Sequence, residues 1–294
     1  MKSRWILNLV LLLLVAGIVA FLYLRPKPAD QSAPTYPLSK LDPNSFSHVG
    51  IFLPGKTPVL LEKQQGRWAM TQPYQGRADL AMVGRVLSVA VATAKEKFPA
   101  TDLARFGLDN PSLKVKVDNE EFSFGMYHPV TGEQFVAYKD TVYVLPTIYS
   151  EGATTQPLEL LDKRLLNDEE QQIVGFDFSK LEQWEPTGMQ VDMQTNGKWK
   201  ITPEKGKYNQ DEINEWYAAN WQNVSATSVE PWKPDQQPHP YVTLKLKNGK
   251  TLRLDKIQES PELLLAREDL KILYHLPQDA GFTMLNPPAG FRPE

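Results

Sequence analysis

An α+β fold in two similar units is expected for the body of this chain, on three observations. Short segments of alternating apolar and polar residues recur along it, as in antiparallel strands with one face on a core and one in water. Two other segments place apolar residues at three- and four-residue steps, the mark of an amphipathic helix. The pattern is also written twice: "QQGRWAMTQP" (64–73) returns as "TNGKWKITP" (195–203), and matching features stay about 125 to 131 residues apart from end to end.

The chain opens differently. Residues 5–24, "WILNLVLLLLVAGIVAFLYL", carry no charge and one strongly polar side chain, Asn8. As a helix they would span roughly 30 Å, the thickness of a bilayer's hydrocarbon, with Trp5 and Tyr23 near the headgroups. A cleaved signal peptide is the competing reading, but it has a shorter apolar run and a small-residue cleavage site, whereas this run ends in "YLRPKP". The expectation is an uncleaved anchor at 5–24 after a cytoplasmic stub at 1–4. Lys2 and Arg4 balance Arg25 and Lys27, and the terminal amine tips the orientation towards a cytoplasmic start. The remainder would then lie in a bacterial periplasm, held to the inner membrane by a single pass. Residues 25–44, rich in Pro and small polar residues, read as a semi-extended tether.

The first unit is placed at 45–166. "HVGIFLPGKTPVLLEK" (48–63) reads as two strands, the second turning through Gln65-Gly66 into the strand of Trp68, which Pro73 ends. In "GRADLAMVGRVLSVAVATA", Leu80, Val83, Leu87, Ala90, Val91 and Ala94 form one helical stripe. "SLKVKV", "EEFSFG" and the hairpin "QFVAYKDTVYVLP" supply further strands, and "TQPLELLDKRLLNDEE" reads as a helical link. The second unit, 167–294, repeats the scheme. "IVGFDF" leads to the strand of Trp199 and Pro203, and a helix follows with Ile213, Trp216, Tyr217, Trp221 and Val224 on one face. Asn209 with Glu212 resembles a capping box. "YVTLKLK", "KTLRLD" and the hairpin "LLAREDLKILYHLP" complete it. Trp68 and Trp199 are expected to plug the seam between helix and sheet in the two units.

Composition narrows function. The 32 Lys plus Arg stand against 35 Asp plus Glu, a net charge of -3, so no positive field gathers nucleic acid. There is no cysteine, which removes thiol nucleophiles and every Cys-based metal site. His48, His128, His239 and His275 show no ligand spacing, and neither a nucleophile elbow nor a phosphate-binding Gly loop occurs. The acidic runs "NDEE" (167–170) and "DNEE" (118–121) lack a calcium loop's spacing and read as turn and helix-end charges. No catalytic residue, cofactor or metal ligand is assigned. Trp216 and Trp221 are read as core, whereas Trp184 and Trp232, in loops, are the candidate partner or ligand surface.

"DLARFGLDNP" (102–111) reads as a short helical turn in which Gly107 takes the left-handed position, Leu108 supplies the hydrophobic contact and Pro111 prevents continuation. With Trp68, Pro73, "KVKV", "TGEQFVAY" and "LLDKRLL", it resembles the bacterial domain-of-unknown-function family 4340 along nearly the whole chain after the tether. The resemblance implies a membrane-anchored protein of unknown activity, in some members encoded beside ABC-type transport systems like those linked to gliding motility. It brings no catalytic residues. The second unit departs from it, with "VEPWKPDQQPHPY" where the first has "RFGLDNP".

The expected function is that of a non-enzymatic, membrane-anchored periplasmic scaffold, an accessory of an ABC-type transport system or another envelope complex. A binding module for a glycan, lipid or peptide through the loop aromatics is the alternative. A hydrolase whose carboxylates carry no motif is the third.

Overall fold

The computed structural model describes residues 14–19, 21, 34–204, 208–234 and 237–288. Residues 14–19 and 21 are helical, and the rest of the anchor expected at 5–24 lies outside the described residues. Among the described residues no helix is long and apolar enough to cross a membrane.

The body is α+β, with mostly antiparallel sheets and few helices. In chain order the first strands are β1 (Tyr36–Pro37), β2 (His48–Phe52), β3 (Val59–Gln64), β4 (Arg67–Gln72), β5 (Gly76–Arg77), β6 (Thr93–Ala94), β7 (Lys97–Pro99), β8 (Leu113–Val117), β9 (Glu120–Tyr127), β10 (Gln134–Tyr138) and β11 (Thr141–Leu145). There follow β12 (Ile173–Lys180), β13 (Gln190–Met193), β14 (Trp199–Thr202), β15 (Ser228–Pro231), β16 (Tyr241–Leu246), β17 (Thr251–Gln258), β18 (Leu264–Arg267) and β19 (Ile272–His275). One sheet has the order β5-β4-β3-β2-β8-β9-β10-β11-β7 and the other β14-β13-β12-β16-β17-β18-β19-β15, while β1 pairs with β6 apart from both. Apart from β5, the two large sheets correspond strand for strand. Their hydrogen bonding stays separate, yet one contiguous apolar core runs from Leu38 to Leu285 and takes side chains from both.

Turn chemistry explains the hairpins. Gln65 and Gly66 both have positive φ (50° and 81°), as a two-residue turn twisted to match its strands requires. The strands they join end at Gln72–Pro73, a cis bond, as Thr202–Pro203 is after β14. The edge strands β7 and β15 both finish in proline, opposite Thr141 and Ile272, and a proline there removes a donor that another chain could pair with.

Two helical expectations are shortened by tertiary partners. The first-unit helix covers only Leu80–Leu87, capped by the Asp79 carboxylate on the Met82 N–H, and then tightens into a 3-10 turn at Ser88–Val91. Val86, Val89 and Ala90 are buried, whereas Leu80 and Val91 are exposed. The β-branched run disfavours further helix, and β1 draws residues 93–94 into a strand instead. The link "TQPLELLDKRLLNDEE" is helical only in a 3-10 turn at Pro157–Leu160. Beyond it the backbone bonds across the molecule: Asp162 N–H donates to Arg77 O (2.9 Å), Leu165 N–H to Val224 O (3.1 Å) and Ala226 N–H to Lys163 O (2.8 Å). The second-unit helix, Gln210–Asn220, buries Ile213 and Trp216. Asn209 caps it through the Asp211 N–H rather than in a reciprocal box with Glu212.

The turn at 102–108 covers the far face of the first sheet. The Leu108 N–H donates to Leu103 O (2.9 Å) and the Gly107 N–H to Ala104 O (3.0 Å), with Gly107 at φ 66°. Phe106 and Leu108 pack on Phe135, Val142 and Val144 in a second, smaller core. A Cβ at Gly107 would also lie 3.0 Å from the Met126 nitrogen. Gly107→Ala is therefore expected to lose about 1–2 kcal/mol from the left-handed backbone alone, read as a lower denaturation midpoint; an unchanged midpoint would show that the turn relaxes freely.

Candidate functional site

Polar and charged side chains converge where the two sheets meet. The β5 edge of the first sheet abuts β19 of the second so closely that a Cβ on Gly76 would lie 2.8 Å from Ile272 Cδ1. Into this seam β5 sends Arg77, the link between the sheets sends Asp162 and Arg164, the turn after it sends Asp168 and Glu170, and β18 with its turn sends Arg267 and Asp269.

Arg267 is only 1% exposed, and each of its donors is used. Its Nη1 donates to Glu170 Oε2 (2.7 Å) and Leu165 O (2.8 Å), and its Nη2 to Glu170 Oε1 (2.8 Å) and Asp269 Oδ2 (2.6 Å). Its Nε donates to Asp269 Oδ1 (3.1 Å). Two carboxylates thus take the guanidinium fork bidentately, the geometry in which a buried arginine can stay charged. Burial would lower its pKa, but Glu170 and Asp269 outweigh burial and raise it. Glu170 shows the converse. Burial pushes its carboxyl up, yet the Arg267 hydrogen bonds and charge, the Asn167 N–H and the Arg77 charge hold it below its ordinary value.

Arg77 is less completely satisfied. Its Nη2 donates to the Arg164 carbonyl. Nε and Nη1 have no hydrogen-bond partner and stand 3.8 Å from Asp162 Oδ2 and 3.7 Å from Glu170 Oε2, within range of their charge. Arg164 grips Asp162 through Nε (3.1 Å to Oδ2) and Nη2 (2.9 Å), and Asp168 through Nη1 (2.6 Å). The Tyr274 hydroxyl is buried nearby with no hydrogen-bond partner, and burial raises its pKa.

The Glu170 carboxyl is held below its ordinary value by guanidinium groups. A general acid needs the opposite shift, so what this arrangement does best is hold two sheets together through fixed, mutually neutralised charge.

Several recesses open along the seam. One of about 160 Å³ is walled by Arg67, Trp68, Arg77, Asp162 and Arg164. A shallower groove of about 420 Å³ runs between Pro73, Tyr74 and Gln75 of the first sheet and Trp232, Lys233 and Lys271 of the second. Trp232 thus lies half-buried on a groove wall, with its backbone N–H donating to Lys271 O (2.8 Å). Trp184 is not among the residues lining that groove; its Nε1 donates to Leu285 O (2.8 Å) and its ring packs on the core. The two candidate tryptophans are therefore not joined in one recess.

The structural anchors also separate. Trp199 is buried between sheet and helix, its Nε1 donating to Asn214 Oδ1 (3.0 Å). Trp68 is buried too, but it walls the recess at the inter-sheet seam beside Arg67 and Arg77. Pro73 lines the groove, Pro203 follows β14 and is half-buried, and Gly107 takes its left-handed turn. Trp216 and Trp221 are buried, as their spacing predicts.

In the sequence the seam residues carry no motif, and the run that holds Glu170 reads as turn and helix-end charge. A signal was present: Arg267 follows buried Leu265 by two residues and so shares its face of β18, where an apolar side chain is the rule. Among the described residues no group of three or more His, Cys, Asp or Glu side chains could hold a metal ion.

Comparison with known proteins gives one family. The model of DUF4340, a domain of unknown function, matches residues 68–245, from Trp68 on β4 across the seam to Lys245 on β16. No curated protein and no solved structure matches the chain. With more than half its length matched, the chain belongs to the DUF4340 family.

Proposed function

We propose that this protein is a non-enzymatic scaffold, anchored in the bacterial inner membrane through residues 5–24, whose body lies in the periplasm and serves an ABC-type transport system or another envelope complex. The observation that carries this reading is the single core shared by both sheets, closed at the seam by a self-neutralised charge network. Two sheets locked in this way make one broad, stiff platform, which suits a protein that holds partners. The two units are read as copies of one design, which the strand-for-strand correspondence of the sheets and the corresponding positions of Trp68 and Trp199 support. The seam then fixes one copy against the other.

Purification of the full chain in mild detergent should recover subunits of a membrane transport complex at a fixed ratio. Recovery of the chain alone from crosslinked cells would count against the scaffold. For topology, a reporter active only in the periplasm should function at the C-terminus, and an inactive reporter in a stable fusion would overturn the orientation.

A binding module remains the second reading, favoured by the groove between Tyr74 and Trp232 with Lys233 and Lys271 at its rim. Aromatic walls with cations beside them suit a glycan or peptide bearing acid groups. Trp232→Ala should then change stability by about 1 kcal/mol or less, because the ring is not core, while abolishing retention of acidic oligosaccharides or peptides on the immobilised protein. Equal retention by wild type and variant would remove this reading.

A further inference from the structure

One corner of the first sheet presents apolar side chains that the core does not take. Met126, Tyr127, Val130 and Ile148 are 47%, 60%, 86% and 66% exposed. Met126 and Tyr127 close β9, Val130 lies in the loop to β10, and Ile148 opens the short helix Ile148–Thr154 after β11. The register brings them to one end of the sheet: Gln134 faces Tyr127 on one side and Leu145 on the other, and Ile148 follows Leu145 by three residues.

The N-terminal segment enters at this same end. Tyr36 on β1 pairs with Ala94, and the Lys97 ammonium lies 4.5 Å from the Tyr36 ring centroid. Lys97 in turn faces Tyr143, two residues before Leu145. From β9 to β7 is three strand spacings, about 15 Å. The apolar stretch of the sequence ends at residue 24, and residues 25–35 reach about 40 Å at most even when fully extended. The corner with the exposed side chains therefore lies at the end of the sheet where the segment leading from residue 24 enters the body. The opposite end of the same strands turns at Lys139 and Asp140 and is charged. At the corresponding corner of the second sheet the turn after β17 carries Glu259, Ser260 and Glu262, with Phe282 exposed on the helix whose Gly281 touches Glu259.

We propose that this corner of the first sheet rests on the lipid surface, with Met126, Tyr127, Val130 and Ile148 entering the headgroup boundary and orienting the platform on the membrane. The proposal rests on the anchor reading. Apolar side chains and a tyrosine are suited to that depth, where a ring or methyl leaves water while the backbone keeps its partners. A short tether confines the body near the bilayer, so even a weak insertion would be populated.

The chain has no cysteine, so V130C and D140C each give a single labelling site in the full-length protein. Each variant is labelled with an environment-sensitive fluorophore and reconstituted in nanodiscs of phosphatidylethanolamine and phosphatidylglycerol. The label at Val130 should shift its emission to the blue and be quenched by lipids carrying a doxyl group near the headgroup, while the label at Asp140 does neither. If the chain co-elutes with the discs but the Val130 label behaves like the Asp140 label, the docking is wrong and the anchor stands. A blue shift that lipid quenchers leave untouched would mean cover by a second copy or another protein, and also overturns the proposal. A chain that fails to enter the discs overturns the anchor reading and this one with it.

Discussion

Arg267→Met is expected to destabilise the fold by about 3–5 kcal/mol, because it leaves Glu170 and Asp269 charged at the seam without the guanidinium that holds them. Chemical denaturation at neutral pH measures it, and a loss below about 1 kcal/mol would show that water replaces the arginine freely. The pH dependence separates lost charge pairing from lost packing. Glu170 has a folded pKa below its ordinary 4.5, so its contribution is present above that value and is lost as pH falls through the depressed folded value. Wild type should therefore lose stability on acidification below about pH 4.5 more steeply than Arg267→Met, in which the largest of the interactions that depress Glu170 is gone while the Asn167 N–H and the Arg77 charge remain. The double variant Arg267→Met, Glu170→Leu should recover part of the loss, since replacing a buried pair by apolar groups is often neutral or stabilising. An additive double variant would mean the two residues are not coupled.

Trp199→Ala is expected to cost about 3–5 kcal/mol, from the lost ring and the cavity it leaves. The indole is 2% exposed, with Phe176 at 6.0 Å and Tyr217 at 5.4 Å between ring centroids, and its Nε1 is bonded to Asn214 on the helix. Truncation also removes this tie between strand and helix, leaving the exposed Asn214 side chain to water. Trp68→Ala removes a similar volume, but from the wall of a recess that opens at the inter-sheet seam, so water and neighbouring side chains can fill part of the gap. The ordering Trp199 above Trp68 follows, to be read from paired denaturation curves. Equal losses would mean that both rings serve the same helix–sheet seam.

Local patterning carried much of the fold. Alternation marked the strands around Val115 and Leu244, positive-φ turn residues marked the hairpin at Gln65-Gly66, and the spacing of Ile213, Trp216 and Trp221 marked the buried face of the long helix. Those signals work because each element's period is imposed by its own backbone. The same reasoning overextended the helix after Leu87 and made a helix of the link at 161–166, because in both places backbone groups find partners far along the chain. The candidate site was less legible. Trp184 and Trp232 look alike as loop tryptophans, yet one bonds to Leu285 and lies on the core while the other walls a groove built from both sheets.

What the sequence by itself determined is the class of the fold, its family, and which rings and turns build the core, since periodicity, turn chemistry and hydrophobic spacing are local properties of the chain. Only the tertiary structure decided how the two sheets join. Arg77, Asp162 with Glu170, and Arg267 come from three separate parts of the chain, and none declares a partner until folding sets the paired charges within about 4 Å of each other. Burial then makes pairing obligatory: at the seam an unmatched charge would be far costlier than in water, so the contact between the sheets is fixed by neutralisation that no local pattern records.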